Sequence, residues 1–141
     1  MKDEKSQIRY CVSDAWLLAS IEFAGGKNGA GIRNIIAAGD YMDHATFLEK
    51  EFEEGLYRLS KGGWIEEVGD RFRVSRKFKE KNIDYTSGRG YSPRKLHRLV
   101  MELLGVDLSC REGYPTNVRY PGFTSEKFKK ALKEYFDSHR R

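Results

Sequence analysis

Histidine, cysteine and serine are the side chains here that could bind a metal or act as nucleophiles, and their spacing supports neither role. The sequence has three histidines and two cysteines, with no Cys-x-x-Cys pair and no Gly-x-Ser-x-Gly motif. Asp40, Asp43 and His44 come nearest to a metal set, and Asp40 and His44 would share a helix face at i, i+4 if the helix continued that far, but a polar helix end also accounts for them. We therefore expect no metal, no cofactor and no enzymatic activity, and we expect Cys11 and Cys110 to remain reduced thiols.

The glycine-rich stretch 25–31 is the second place where chemistry could occur, since glycine loops can cradle phosphate groups. Such a loop follows a strand and ends in Gly-Lys-Ser or Gly-Lys-Thr at the start of a helix. Here the stretch follows a predicted helix, and Lys27 is succeeded by Asn28. We interpret it as a flexible connector rather than a nucleotide site.

Charge is distributed unevenly along the chain, which has a net charge of +5. Residues 1–68 carry 8 Lys and Arg against 12 Asp and Glu, whereas residues 69–141 carry 18 against 9. A positive half suits a polyanion such as nucleic acid, although it also suits a lysine-rich surface that keeps a domain soluble. No signal-peptide pattern is present, and no apolar run approaches the ~20 residues of a membrane span, so we expect a cytoplasmic protein without membrane contact.

Three helices are predicted in the first half from hydrophobic period and end signals. The first covers about residues 13–24, with Ser13 or Asp14 as its N-cap, and the second covers about residues 31–45. The third opens on a capping box formed by Thr46 and Glu49 and stops at Gly62-Gly63.

The second half begins with a change from helical to strand period. Residues 64–68 and 71–75 indicate two short strands joined by a tight turn at Gly69-Asp70. Residues 82–91 are polar and contain glycine, so they are predicted to be a linker. Two amphipathic helices follow, over residues 92–105 and from about residue 124, with an irregular stretch between them that includes a short strand near residues 117–120.

Three helices followed directly by a hairpin are the order of a winged helix, and the residues resemble that superfamily. The resemblance covers about residues 13–80 and lies mainly in the stretch 54–65 (EGLYRLSKGGWI) and in the strand 71–75 (RFRVS). Residues 35–45 are also similar to uncharacterised bacterial proteins of this kind. The resemblance implies a winged-helix domain at 1–81 within a mainly α fold that has a small β-hairpin. The two amphipathic helices of the basic extension at 82–141 have no core of their own, so we expect them to pack on that domain or on a second subunit of a homodimer.

In DNA-binding winged helices the third helix enters the major groove and the wing contacts the backbone. The resemblance therefore implies a double-stranded DNA partner and a transcriptional regulator as the function. Carried onto this chain, the base-facing residues would lie on the third helix and the phosphate contacts on the wing: Lys50, Tyr57, Arg58 and Lys61 on the helix, and Arg71, Arg73, Arg76 and Lys77 on the wing.

The acidity of the third helix leaves a second interpretation open. Glu49, Glu51, Glu53 and Glu54 make it the most acidic helix of the chain, and carboxylates facing phosphates weaken DNA binding. Winged helices also serve as protein-interaction modules, in which this helix would contact a basic protein partner without any DNA binding. A continuous positive surface would favour DNA, and a surface of mixed sign would favour a protein.

Overall fold

The computed structural model describes residues 8–88, 90–110 and 122–138. As predicted, the protein is mainly helical with a small antiparallel hairpin, and a second small hairpin was not predicted. No helix in these three ranges is both long enough and apolar enough to cross a membrane. The helices are α1 (Val12–Ala24), α2 (Ile32–Asp43), α3 (Glu49–Lys61), α4 (Arg76–Lys79), α5 (Pro93–Leu104) and α6 (Ser125–Ser138), and the strands are β1 (Ile65–Val68), β2 (Arg71–Val74), β3 (Thr86–Ser87) and β4 (Gly90–Tyr91).

Helix α1 lies at the centre of the core. A helix that is apolar on nearly all sides must be covered on nearly all sides, and α2, α3 and α5 all pack against it. The helix predicted at 13–24 is confirmed, although the N-cap is Cys11 rather than Ser13 or Asp14, and the Asp14 carboxylate accepts the Cys11 backbone N–H at 2.7 Å. The α1 residues without exposed surface include Ala15, Leu17, Leu18, Ala19 and Ile21.

A glycine in the middle of α2 and another in the middle of α3 allow neighbouring side chains to pack directly against the helix backbone. A Cβ at Gly39 of α2 would lie 2.6 Å from Cε2 of Phe47, and a Cβ at Gly55 of α3 would lie 2.6 Å from Cδ2 of Leu17. Glycine in a helix interior costs about 1 kcal/mol relative to alanine. Here the missing side chain makes room for the packing of a buried ring and a buried leucine.

Helix α3 begins later than its sequence indicates, so the predicted Thr46–Glu49 capping box is wrong. Phe47 inserts its ring into the core, where it stacks on Trp16 with the ring centroids 3.9 Å apart. This insertion places the helix start after Phe47, with Leu48 as the N-cap and the Glu51 carboxylate accepting the Leu48 N–H at 2.9 Å. The predicted stop is confirmed, since Gly62 is the C-cap.

The hairpin β1–β2 forms as predicted, with each strand one residue shorter. Its register pairs Ile65 with Val74 and Val68 with Arg71. A third segment joins this sheet, because Ala30 and Phe72 exchange two backbone hydrogen bonds of 2.8 and 2.9 Å. The stretch 25–31 is thus fixed to β2 near its end and is not simply the flexible connector that its glycines indicate.

Helices α5 and α6 complete the same core. Ser92 caps α5 and Gly105 ends it in the left-handed conformation, as predicted. Helix α5 packs on α1 and α2, and α6 packs mainly on α2. The buried side chains that they contribute include Leu96, Val100, Phe128 and Tyr135.

The segment 82–91, predicted as a linker, contains a small hairpin of its own, formed by β3 and β4. The Tyr85 hydroxyl donates to the Glu22 carboxylate of α1 at 2.9 Å, and its ring lies 5.2 Å from that of Tyr91. Burial and Glu22 raise the pKa of the Tyr85 hydroxyl. The strand expected near 117–120 lies outside the described residues.

Cys11 and Cys110 form a disulfide, so the expectation of two reduced thiols is wrong. The two residues are 99 positions apart in sequence, but because α5 packs on α1, the segment after α5 lies beside the start of α1. Asp107 also holds this segment there: its backbone N–H donates to the Tyr10 carbonyl at 2.9 Å, and its carboxylate pairs with Arg9 at 2.6 Å.

Candidate nucleic-acid interface

Helix α3 exposes one face only, and that face carries charges of both signs. Lys50 and Lys61 are exposed, whereas Tyr57 is half-buried, as are Glu49 and Glu53 on the same face. The Lys50 ammonium lies 3.8 Å from the Glu54 carboxylate, and the Lys61 ammonium lies 5.6 Å from the centroid of the Tyr57 ring. Three of the four predicted α3 residues are therefore accessible to a partner.

Arg58 is the exception, and its predicted contact with DNA is wrong. Its side chain is 2% exposed, because position 58 faces α1 rather than solvent. The guanidinium binds the fully buried Asp14 carboxylate twice, at 2.7 and 3.1 Å, and lies 3.8 Å from Glu54. Burial raises the pKa of Asp14, while the Arg58 hydrogen bonds and the Cys11 N–H lower it. Arg58 thus joins α3 to α1.

The two arginines of β2 share the outward face of the strand, as their alternation predicts. Arg71 donates to the Gly29 carbonyl at 3.3 Å. Arg73 donates to the Glu66 carboxylate at 3.0 Å and to the Lys27 carbonyl at 3.1 Å. These contacts hold the segment that precedes α2 against the hairpin, and Glu66 offsets one positive charge of the wing.

Arg76 and Lys77 were predicted on the wing, but they lie on α4, which follows the hairpin, and Lys77 reaches the C-terminal end of α3. Lys77 donates to the Gly62 carbonyl at 2.7 Å, and its ammonium lies 4.1 Å from the centroid of the Trp64 ring. Ser75, the N-cap of α4, donates to the Gly63 carbonyl at 2.6 Å. Arg76 follows at once, with a side chain 90% exposed and 3.7 Å from Glu80. Cations near a helix C-terminus are favoured by its dipole, so Lys77 also has a structural role.

A cleft of about 450 Å³ contains basic residues that sequence reasoning did not assign to an interface. It lies between the start of α2, the hairpin turn and α6, where Arg33 and Lys127 join Arg71. Asp70 and Glu134 line it as well, so its charge is mixed. No pattern in the sequence relates Arg33 to Lys127, because the cleft depends on how α6 packs beside α2.

Asp40 and His44, the residues considered as a metal pair, have other roles near the end of α2. Asp40 accepts a hydrogen bond from the Tyr135 hydroxyl, and burial together with Asp40 raises the pKa of Tyr135 to about 12. His44 is the left-handed C-cap of α2. In residues 8–88, 90–110 and 122–138, no group of three or more His, Cys, Asp or Glu side chains could hold a metal ion.

The accessible cations among the predicted residues therefore form three separate sets, on α3, on α4 after the hairpin and on β2. Lys50 and Lys61 lie on α3 itself, Arg76 and Lys77 lie beside its end, and Arg71 and Arg73 lie on the outer face of β2. Such side chains can contact phosphates. Comparisons of the chain with known protein families, with characterised proteins and with solved structures give no match.

Proposed function

We propose that the protein is a winged-helix module that binds double-stranded DNA, with α3 in the major groove. The observation that carries the proposal is the bridge between Ala30 and Phe72. It adds a single bridge residue between α1 and α2, at the place where winged helices have a short strand before the second helix. A transcriptional regulator is the function that this module would serve.

The proposed DNA contacts come from accessible cations. Lys50, Tyr57 and Lys61 face the groove from α3, and Arg76 with Lys77 contacts phosphates beside the end of that helix. Arg71 and Arg73 contact phosphates from the wing while keeping their bonds to the protein backbone. Neutralising phosphates releases counterions, so the affinity should depend steeply on salt concentration.

Fluorescence anisotropy with a random-sequence duplex across a salt series tests the proposal. For the wild type, log affinity should fall with log salt at a slope of roughly −0.9 per phosphate contact. The variant Lys61→Glu/Arg76→Glu should bind at least about tenfold more weakly and with a shallower slope, since each lost contact removes roughly one unit of slope.

Arg94→Glu/Arg98→Glu is the matched control, because it makes the same change of charge at exposed positions of α5. This control should retain most of the affinity and the full slope. If the two variants lose the same amount of DNA affinity, the affinity depends on net charge alone and not on the proposed contacts. An absence of binding at low salt would contradict the proposal.

A protein partner is the second candidate function, and it is favoured by the mixed charge of the exposed α3 face and by two exposed leucines. Leu48 at the start of α3 is 66% exposed and Leu108 is 69% exposed, and both line one cleft of about 430 Å³. Together with the mixed charges of α3, they would suit a basic protein or a second copy of this chain. Sedimentation velocity tests the second copy: the wild type should sediment as a dimer and Leu48→Asp as a monomer.

A further inference from the structure

We propose that the Cys11–Cys110 disulfide is a thiol–disulfide exchange site, opened by a dithiol reductant while the protein stays folded. The disulfide lines the cleft of about 430 Å³ that also contains Val12, Leu48 and Leu108. A reductant can therefore approach it without unfolding the core. This inference stands apart from DNA binding, because it depends only on the surroundings of the two sulfur atoms.

The two cysteines differ in accessibility, which determines the sulfur that is attacked. Cys11 is 5% exposed, whereas Cys110 is partly exposed in the turn after α5. Thiol exchange needs access to one sulfur along the axis of the S–S bond. The incoming thiolate therefore attacks Sγ of Cys110, and the exposed side chains of Leu48 and Leu108 provide apolar surface beside it.

Cys11 is suited to be the leaving group because it occupies the N-cap position of α1. The free N–H groups and the dipole of a helix N-terminus stabilise a thiolate and lower its pKa, and a thiol of lower pKa leaves faster. The nearby Asp14 carboxylate would oppose this effect, but Arg58 binds it through two hydrogen bonds.

The exchange balances in two steps. The first thiolate of the reductant bonds to Sγ of Cys110, the S–S bond breaks, and its electron pair goes to Sγ of Cys11. The second thiolate of the reductant then attacks the reductant sulfur in this mixed disulfide and expels Cys110 as a thiolate. The reductant becomes a disulfide, two electrons pass to the protein, and the two protons from the dithiol end on the cysteines.

The disulfide-bonded Cys11 lies beside the link between α1 and α3. Asp14 accepts the backbone N–H of Cys11 and also binds Arg58 of α3, and neither contact involves a sulfur atom. After reduction, the turn that follows α5 keeps its contacts to Arg9 and Tyr10 through Asp107. Reduction therefore removes the covalent link while these contacts keep the turn after α5 beside the start of α1.

The first measurement is alkylation of the full chain followed by intact mass. Protein denatured without reductant should gain no adduct, and protein reduced first should gain two. Native protein in dithiothreitol without denaturant should also become doubly alkylated. Brief exposure to 2-mercaptoethanol, quenched with iodoacetamide and mapped by peptide mass, should place the mixed disulfide on Cys110.

The second measurement compares Cys110→Ser with Cys11→Ser, since each variant keeps one of the two thiols. The rate of iodoacetamide alkylation against pH should give a midpoint for Cys11 at least about one pH unit below that for Cys110. Circular dichroism tests whether both variants are folded. If one of them is not, the mercaptoethanol mapping on the wild type still decides which sulfur is attacked.

Three results would overturn the inference. Two adducts on the unreduced protein would mean that the cysteines are not paired. Reduction that requires urea would mean that the disulfide is an inert crosslink. A mixed disulfide on Cys11, or a midpoint for Cys11 at or above that for Cys110, would reverse the roles of the two residues. A failure of DNA binding changes none of these readouts.

Discussion

Arg58 and Arg73 each pair with a carboxylate at about 3 Å, yet they lie in opposite environments. The Arg58 side chain is 2% exposed and joins α3 to α1 through Asp14. The Arg73 side chain is 36% exposed and joins β2 to β1 through Glu66. An exposed pair is screened by water and salt and contributes little, whereas a buried charge that loses its partner costs several kcal/mol. Burial of the pair, rather than the distance between its charged atoms, therefore determines how much each arginine contributes to the free energy of unfolding.

The largest expected effect is that of removing Arg58. Arg58→Ala leaves the buried Asp14 carboxylate without its main partner, so the free energy of unfolding should fall by about 3–5 kcal/mol. Urea unfolding followed by circular dichroism measures this change. Arg76→Ala is the control, since its side chain is 90% exposed, and it should change the value by less than about 0.5 kcal/mol.

A double replacement separates the value of the pair from the cost of breaking it. In Asp14→Leu/Arg58→Met both charges of the pair are absent, so the part of the loss in Arg58→Ala that comes from the unpaired Asp14 carboxylate should return. If the double variant is as unstable as Arg58→Ala, the pair itself is what stabilises the contact between α1 and α3.

His97 extends the comparison to a buried group that can lose its charge. Its side chain is 13% exposed, its Nδ1 lies 3.6 Å from the Asp43 carboxylate, and burial lowers its pKa below the usual 6.5. In the unfolded chain His97 takes up a proton below about pH 6.5, whereas in the folded chain it does so only at lower pH. The free energy of unfolding should therefore fall as the pH is lowered from 7 to about 5.5. The slope from one such group is at most about 1.4 kcal/mol per pH unit.

Urea unfolding across this pH range measures the slope. His97→Gln should flatten it, and the matched variant His44→Gln, at an exposed position, should keep it. An unchanged slope in His97→Gln would assign the pH dependence to other groups.

The smallest expected effect is that of Arg73→Ala. Loss of an exposed pair should lower the free energy of unfolding by about 0.2–1 kcal/mol. In 1 M NaCl this difference should nearly vanish, because the Debye length is then about 3 Å. The effect of Arg58→Ala should persist at the same salt concentration. A loss for Arg73→Ala that is insensitive to salt would show that its bond to the Lys27 carbonyl outweighs the ion pair.

Local signals in the sequence were sufficient to predict the elements whose ends are set by capping and turn residues within or next to the element. Ser92, Pro93 and Gly105 bound α5, and Gly69-Asp70 makes the turn of the hairpin, since caps and turns depend on neighbouring backbone. The bridge at Ala30 is a single residue pair, and a single pair leaves no period to detect.

The interface was less predictable because burial of a charge is a property of the packed chain. Arg58 has the residue type and spacing of a groove-facing residue, and only the position of Asp14 on α1 reveals the buried pair. The disulfide required the packing of α5 on α1, which brings together residues 99 positions apart. The start of α3 moved because Phe47 gains more from burial against Trp16 than Thr46 gains from capping.

The close approaches at Gly39 and Gly55 provide a means of finding distant relatives of this chain. Any side chain at either position would collide with Phe47 or Leu17 unless the helices moved apart. Proteins that share this arrangement should therefore keep a glycine in the middle of the second helix and another 16 positions later, whatever the rest of their surface has become. A search that gives extra weight to these two glycines and to an aromatic residue eight positions after the first would detect such proteins more sensitively than a search by overall sequence similarity.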